Sequence, residues 1–224
     1  MTREDYAKEV ELIRQRHSVR VYKADKIEAE KVEKLNAKIK ELNEQGNLNL
    51  QLIEDAGKTY SLLLNRTMGL GSAPSVIACV GPEAADLDER IGYYGEQLVL
   101  FAQSLGLNTC WTGMFNRKHV PAEIKEGENL VICIAIGYGE TAGKERKTKS
   151  MQDVTTVIGD KPQWLDFAVE MALLAPTAVN QQKFKITSEN GEIKIEDKGG
   201  VMSQVDLGIV KYHFEVGMQA KKGD

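Results

Sequence analysis

The chain has 224 residues, of which 28% are charged, and its net charge at pH 7 is only -4. This length allows one large core, or two small lobes that share one, and we favour a single core. The balance of charge creates no field that would attract nucleic acid or an acidic membrane surface, so we expect a small-molecule partner.

The first fifty residues predict two helices and a strand. Thr2 followed by Asp5 resembles a capping box, which opens a first helix that ends near Arg16. Apolar residues at helical spacing then predict a second helix, which stops at Gly46. Leucines that alternate with polar residues over 48–52 predict a half-buried strand.

The middle of the chain predicts a buried sheet and a central helix. Glycine and asparagine punctuate residues 57–73, which we predict to be loop. The continuous apolar run 76–80 is typical of a strand covered on both faces. A helical apolar face predicts a helix over 91–105, and the most apolar run, 130–136, predicts a central strand. Glycines after that strand lead into the basic segment 143–150.

The remainder of the chain predicts a helix, a hairpin and a last helix. Pro162 lies at the first turn of the helix, which stops at Pro176. Alternating apolar residues on either side of Asn190 and Gly191 predict the hairpin, and apolar residues over 207–216 predict the last helix. The same helix, strand, helix order occurs earlier in the chain. A degenerate internal duplication and an ordinary α+β chain explain this order about equally well.

Several function classes find no support. No apolar run approaches the roughly 20 residues that span a bilayer, and the charged N-terminal residues are unlike a signal peptide, so we expect a cytoplasmic protein. Three cysteines in apolar surroundings indicate reduced core residues rather than disulfides or a zinc site. Three scattered histidines suggest no metal, and a hydrolase would need a nucleophile elbow that is missing.

A basic pentapeptide follows the first helix. Its residues are Arg16, His17, Ser18, Val19 and Arg20. Such a cluster needs a counter-anion if it is buried, because unpartnered charge is costly to desolvate. A phosphate is suitable, since arginine offers it a bidentate fork. The alternative is a solvated surface segment, which is the commoner fate of arginine-rich pentapeptides.

Three further stretches accompany the pentapeptide, namely 109–113 (TCWTG), 147–149 (KTK) and 176–182 (PTAVNQQ). Together, in this order, the four resemble the FMN-binding elements of the nitroreductase family. The resemblance covers most of residues 16–150 and continues over 161–197. It implies an α+β fold in which helices sandwich a mixed β-sheet, with FMN as the cofactor.

The phosphate end of FMN is assigned through this resemblance. In the family, an Arg-(Arg/His)-Ser-x-(Arg/Lys) element and a basic Lys-x-(Lys/Arg) element converge on the ribityl phosphate. The counterparts are Arg16, His17, Ser18, Arg20, Lys147 and Lys149. The family counterpart of Arg20 can instead lie near the N1 and O2 edge of the flavin ring.

Two stretches are assigned to the ring. Residues 105–113 resemble the family's L-G-L-G-T-C-W-x-G, from which backbone N–H groups of Thr112 or Gly113 would reach flavin N5 and O4. Trp111 belongs to this cofactor-binding stretch, and we interpret its side chain as a core aromatic and Cys110 as an inert buried thiol.

Residues 176–182 resemble the family's P-S-x-x-N-x-Q-P-W. The counterparts are Pro176, Thr177, Ala178, Asn180 and Gln182. Asn180 suits the pyrimidine edge because an amide donates and accepts at once. The chain departs from the family in having Lys183 and Phe184 where Pro-Trp is usual, so the substrate-side wall is not carried over.

The order of these elements is unusual. In ordinary members the Pro-Ser-x-x-Asn element follows soon after the Arg-x-Ser element, and a second subunit of a homodimer completes the site. Here it comes after residue 160. The resemblance therefore implies a pseudo-dimer in one chain. Residues 1–156 would carry the phosphate and N5 elements, and a shortened half, 157–224, would supply the ring loop and pack with the first as one unit. We expect a monomer, with a homodimer as the alternative.

The implied function is FMN-dependent oxidoreduction. NADH or NADPH would deliver hydride to flavin N5, and a nitroaromatic, a quinone or a free flavin would then accept electrons without a catalytic protein side chain. A non-catalytic flavin- or ligand-binding protein of the same fold is the alternative. A dehydrogenase would rest on Gly137, Gly139 and Gly143, but the segment that follows them has no apolar helical face.

Overall fold

The structure is a computed structural model, and it describes residues 2–55, 59–60 and 70–222. The helices in this part of the chain are α1 (Arg3–Gln15), α2 (Ala29–Gly46), α3 (Leu87–Ser104), α4 (Met151–Val154), α5 (Leu165–Leu173) and α6 (Ser203–Lys221). The strands are β1 (Asn49–Ile53), β2 (Ser75–Pro82), β3 (Asn108–Thr112), β4 (Glu128–Gly137), β5 (Thr155–Ile158), β6 (Phe184–Glu189) and β7 (Glu192–Asp197). The predicted α+β class is confirmed.

The chain divides into two compact units. The four-strand unit comprises Arg16–Leu87 and Gln97–Glu145, and the three-strand unit comprises Met1–Gln15, Asp88–Glu96 and Arg146–Asp224. The predicted halves, 1–156 and 157–224, concern a duplication, which packing alone does not test, so that division stays a prediction.

The four-strand unit is built on an antiparallel sheet with the order β1-β2-β4-β3. Strand β4 is central, as predicted, because β2 pairs with one of its edges and β3 with the other. Seven of the eight residues of β2 are buried, which confirms the strand predicted to be covered on both faces. Helix α2 packs beside β1 and buries Leu35, Ile39 and Leu42 on one face.

The basic pentapeptide continues this sheet beyond β3. Ser18 forms a parallel bridge with Thr109, and the Val19 N–H donates to the Thr109 carbonyl oxygen at 3.0 Å. Tyr22 is buried, and its hydroxyl donates to the Val19 carbonyl oxygen at 2.7 Å. The outer edge of β3 therefore holds the backbone that carries Arg16 and Arg20.

The three-strand unit combines helices with a sheet of order β5-β6-β7. Strands β5 and β6 are parallel, whereas β6 and β7 form the predicted hairpin. Asn190 and Gly191 have φ values of 49° and 86°, the left-handed pair that a two-residue hairpin turn requires. Mixed strand directions therefore occur in this sheet, while the four-stranded sheet is antiparallel throughout.

Within the three-strand unit, residues 88–96 of α3 cross α6 at very short range. A Cβ atom at Gly208 would lie 2.0 Å from the Glu89 carbonyl oxygen, and one at Gly92 would lie 2.0 Å from the Val205 carbonyl oxygen. Both contacts involve backbone, which no change of side-chain rotamer relieves. The close approach of these two helices therefore requires glycine at each position.

The same two helices share a fully buried polar pair. His213 Nε2 lies 2.9 Å from Glu96 Oε1, and both side chains are 0% exposed. His213 Nδ1 lies 3.1 Å from the Met171 carbonyl oxygen. Because a carbonyl oxygen only accepts, Nδ1 carries a hydrogen, and Nε2 faces the carboxyl group of Glu96.

Several local predictions are confirmed and some are corrected. The capping box of α1 is present, since the Asp5 N–H donates to Thr2 Oγ1 at 3.2 Å and the Thr2 N–H donates to Asp5 Oδ2 at 2.8 Å. Helix α2 ends at Gly46, as predicted, but the left-handed residue that terminates it is Asn47, with φ 47°, rather than Gly46. Most of the loop predicted over 57–73 lies outside the described residues.

Candidate functional site

The residues predicted to form a site fall into two groups, one in each unit. In the four-strand unit they are Arg16, His17, Ser18, Arg20, Trp111, Thr112 and Gly113. In the three-strand unit they are Lys147, Lys149, Pro176, Thr177, Ala178, Asn180 and Gln182.

The two arginines of the pentapeptide interact electrostatically with the Cys110 thiol on β3. Arg16 is buried, with 6% of its surface exposed, whereas Arg20 is exposed. Burial raises the pKa of the Cys110 thiol, and the positive charges of Arg20 and Arg16 and a hydrogen bond with Ser18 oppose that rise. Two guanidinium groups and a hydroxyl thus interact with one thiol, which remains protonated at neutral pH because its pKa is raised.

The end of β3 presents backbone rather than polar side chains. The Thr112 side chain is buried, and its hydroxyl donates to the Cys133 carbonyl oxygen at 2.9 Å. Gly113 is exposed immediately after the strand. Trp111 is half-buried rather than a core aromatic, which corrects the interpretation from the sequence.

The chain after β4 passes close to the pentapeptide. Gly143 has φ 83°, and a Cβ atom there would lie 2.7 Å from His17 Cβ and 3.2 Å from the Ser18 carbonyl oxygen. The next helix along the chain, α4, begins only at Met151. No helix N-terminus follows these glycines directly, so the structure rejects the dinucleotide-binding alternative.

In the three-strand unit, a network of amides joins the basic segment to the 176–182 loop. Gln182 is 3% exposed, and its Oε1 accepts from the Lys149 N–H at 2.9 Å. Gln182 Nε2 and Asn180 Nδ2 both donate to the Lys147 carbonyl oxygen, at 3.0 and 2.9 Å. Lys149 Nζ donates to the Gln182 carbonyl oxygen at 2.8 Å. Two segments that the motifs selected separately are therefore in contact.

Arg146 belongs to this network, although sequence reasoning did not select it. Its guanidinium donates to Asn180 Oδ1 at 2.8 Å and to the carbonyl oxygens of Leu173 and Ala175 at 2.9 and 2.7 Å. Carbonyl groups at the end of a helix lack helical partners, so Arg146 caps α5. In the sequence Arg146 is one cation in a polar run, and no local spacing rule connects it to that helix.

The Asn180 amide is more occupied than expected. Its Oδ1 accepts from Arg146 at 2.8 Å and from Gln182 Nε2 at 3.0 Å, which uses both lone pairs. Its Nδ2 donates one of its two hydrogens, to Lys147. Toward a ligand, Asn180 in this arrangement offers one N–H donor and no free acceptor.

The 176–182 loop has an unusual backbone. Val179, Asn180 and Gln182 have φ values of 46°, 56° and 45°. This left-handed conformation costs a β-branched residue such as valine about 1–2 kcal/mol. The Val179 side chain is also 88% exposed, so packing does not explain its conformation. Strained backbone of this kind is often found at functional sites.

The described part of the chain contains neither a candidate metal site nor a candidate membrane-spanning helix. Over 2–55, 59–60 and 70–222, no three His, Cys, Asp or Glu side chains are grouped so that they could hold a metal ion. The same residues include no helix that is long and apolar enough to cross a membrane.

Comparison with protein families decides the relationship. A family model described as "Putative TM nitroreductase" matches residues 9–218, which is nearly the whole chain. The chain belongs to this nitroreductase family. A solved structure described as a "putative nitroreductase (tm1586)" from Thermotoga maritima is 26% identical, with a TM-score of 0.64. The match covers 93% of this chain and 82% of the Thermotoga protein. The nitroreductase resemblance inferred from the motifs is thereby confirmed.

Two more distant structures share the nitroreductase fold. A "nitroreductase family protein" from Streptococcus pneumoniae is 13% identical, with a TM-score of 0.52, over 65% of this chain and 97% of that one. A "putative nitroreductase in complex with FMN" from Exiguobacterium sibiricum is 17% identical, with a TM-score of 0.50, over 64% and 93%. A search of curated proteins gave no significant match.

Proposed function

We propose that this nitroreductase family member is an FMN-dependent oxidoreductase that carries electrons from NADH or NADPH to a small acceptor. The network that joins Lys147 and Lys149 to the 176–182 loop is the main support. It brings together two segments that were selected from the sequence as opposite ends of one flavin site. The Exiguobacterium relative, described in complex with FMN, agrees with this choice of cofactor.

The donor set near β3 fits the FMN phosphate. A dianionic phosphate needs charged forks and hydroxyl donors, and Arg16, Arg20 and Ser18 lie near one thiol there. Arg16 is almost fully buried, so its charge acts in a medium of lower dielectric than water. We assign phosphate binding to these residues and His17, with Lys147 and Lys149 as the second basic element.

The ring would be held by backbone and amide groups. When bound, FMN supplies the hydride-transfer chemistry at its N5 atom. We assign the backbone N–H groups of Thr112 or Gly113, beside Trp111, to the N5 and O4 edge. Asn180 would donate its remaining N–H to a ring carbonyl. The other ring-loop residues are Pro176, Thr177, Ala178 and Gln182.

The assembly proposal is a pseudo-dimer in one chain. The Streptococcus relative is matched over 97% of its length yet accounts for only 65% of this chain, so about a third of the chain has no counterpart there. We propose that residues 157–224 account for most of this additional part and supply what a second subunit supplies in ordinary members. Light scattering with flavin quantification should then find one FMN per monomeric particle. An obligate homodimer would contradict the proposal.

Absorbance spectroscopy and steady-state kinetics test the function. Purified protein should bind FMN and then oxidise NADH or NADPH when a quinone or a nitroaromatic is supplied. Bound FMN without turnover with any acceptor would favour the non-catalytic alternative. Failure to bind FMN at all would overturn the proposal.

Arg16→Ala tests the phosphate assignment. We expect FMN affinity to fall by roughly 1–3 kcal/mol, the contribution of a charge-assisted contact. Arg14→Ala is the matched control, because Arg14 is exposed and its partners are Glu11 and Glu170. Fluorescence quenching measures both affinities. Equal affinity for the two variants would remove the pentapeptide from the site.

A further inference from the structure

Asp206 makes direct contact with the 176–182 loop. This carboxyl group lies in the first turn of α6 and is 8% exposed. The Ala178 N–H donates to Oδ1 at 2.9 Å and to Oδ2 at 3.1 Å. Gln181 Nε2 donates to Oδ2 at 2.7 Å. Both residues that Asp206 holds therefore belong to the loop. The carboxylate accepts hydrogen bonds from one backbone N–H of the loop and from one of its side chains.

These contacts enclose the strained part of the loop. Ala178 and Gln181 bracket Val179 and Asn180, which both have a left-handed backbone. This conformation is unfavourable for the β-branched Val179, whereas asparagine tolerates it. Gln181 is held a second time, since its Nε2 also donates to the Val201 carbonyl oxygen at 2.8 Å. Conformations of this kind persist only where surrounding contacts enforce them, and Asp206 supplies such contacts at both ends.

The charged groups that face Asp206 are Arg146, on the basic segment, and Asp197, at the end of β7. Burial raises the pKa of Asp206 to about 6 and Asp197 adds to the rise, whereas Gln181, the Ala178 N–H and Arg146 oppose it. The group is therefore ionised at neutral pH and becomes protonated in mild acid.

We propose that Asp206 is a positioning residue whose carboxylate holds the 176–182 loop in its flavin-binding conformation, and that protonation of this carboxylate weakens flavin binding. The inference rests on the proposed function only for its flavin readout. A neutral carboxyl group carries a hydrogen on one oxygen, so it loses an acceptor site that Ala178 or Gln181 uses in the ionised form. The loop is then held by fewer contacts against its own strain.

The effect of pH on the stability of the fold should be opposite to its effect on flavin binding. Since the native pKa lies above that of the unfolded chain, the folded protein binds more protons between about pH 4 and about pH 6. The contribution of Asp206 to stability is therefore fully present below this window and is lost as the pH rises through it. Acid should thus stabilise the fold at this residue while it weakens flavin binding, and a general acid-induced loss of structure would not produce that combination.

Flavin titration of the parent protein and Asp206→Asn tests the proposal. Riboflavin is the first probe, because the phosphate of FMN itself titrates near pH 6. Between about pH 7.5 and about pH 5, the parent should lose riboflavin affinity by about tenfold, the size of one charge-assisted hydrogen bond. Asp206→Asn should bind about tenfold more weakly at neutral pH and show a flat profile. Asp160→Asn, at an exposed position in the same unit, should behave like the parent.

The inference and the proposed function can fail separately. If the parent binds flavin and Asp206→Asn matches it in affinity and pH profile, the inference is overturned. If the parent binds no flavin, the proposed function fails, and hydrogen exchange of the Ala178 amide still tests the role of Asp206. That amide should exchange faster at about pH 5 than the intrinsic pH dependence of exchange predicts. A protection factor that is the same at about pH 5 and about pH 7.5 would contradict the role of Asp206 in holding the loop. Should Asp206→Asn fail to fold, Gln181→Leu removes the side-chain contacts of Gln181 to Asp206 and Val201 but keeps the contact between Ala178 and Asp206. This variant should weaken riboflavin binding by about threefold.

Discussion

Replacing Arg146 by alanine removes the guanidinium that connects the end of α5 to Asn180. Three hydrogen bonds are lost, to Asn180 Oδ1 and to the carbonyl oxygens of Leu173 and Ala175. Both carbonyl groups lie at the C-terminal end of α5, where helical partners are missing. The positive charge of the guanidinium also interacts favourably with the negative end of the helix dipole, and this interaction is lost as well.

The magnitude follows from these contacts. A hydrogen bond that involves a charged group contributes roughly 1.5–3 kcal/mol, so three such bonds set an upper bound of roughly 4.5–9 kcal/mol. Arg146 is half-buried, however, and water replaces part of what is lost. We therefore expect the free energy of unfolding to fall by about 2–4 kcal/mol. FMN affinity should fall as well, because Asn180 loses the donor that orients its amide.

Urea-induced unfolding followed by circular dichroism measures this loss. Lys144→Ala removes one charge from an exposed position in the same polar run, and it should change stability by no more than about 0.5 kcal/mol. Arg146→Lys keeps the charge but loses the planar fork, so its stability should lie between those of Arg146→Ala and the parent. If Arg146→Ala were as stable as Lys144→Ala, the role of Arg146 as a cap of α5 would be refuted.

Two further predictions concern the helix crossing. Gly208→Ala should lower the free energy of unfolding by about 3 kcal/mol, because the new Cβ atom would lie 2.0 Å from a backbone oxygen. Gly217→Ala should lower it by only about 1 kcal/mol, because the nearest atom there lies at 2.8 Å. Thermal unfolding compares the two, and equal losses would contradict the close approach. Glu96→Ala should lower the free energy of unfolding by about 3 kcal/mol, because buried His213 loses its carboxylate partner. Glu96→Gln should lower it clearly less. Chemical denaturation measures this pair, and equal costs would show that the contact adds little.

The sequence predicted most regular elements because each has a strong local signal. The buried runs of β2 and β4 and the Asn190-Gly191 turn reappear in the structure almost as expected. Strand β5 was missed because it is four residues long and mostly exposed, so no apolar period marks it. Its pairing with β6 is a long-range contact, which local pattern does not encode.

In the candidate site, too, some features were predictable from local motifs and others depended on long-range contacts. Motifs selected Lys147, Lys149, Asn180 and Gln182, and the structure joins them through hydrogen bonds of 2.8–3.0 Å. The placement of every motif residue relative to FMN remains a prediction. Sequence reasoning also treated Asn180 as a free amide, and it was unable to anticipate that neighbouring side chains would occupy its acceptor.

By itself, the sequence determined the family, the α+β class and the two loop segments that belong together, because apolar periodicity and short motifs are local properties of the chain. Only the tertiary structure decided how those segments are held. Arg146 and Asp206 are ordinary charged residues in the sequence, at least 25 positions from the groups that their side chains contact. Their role arises because folding places them beside backbone N–H and C=O groups, and such groups require a charged or polar neighbour when they are removed from water.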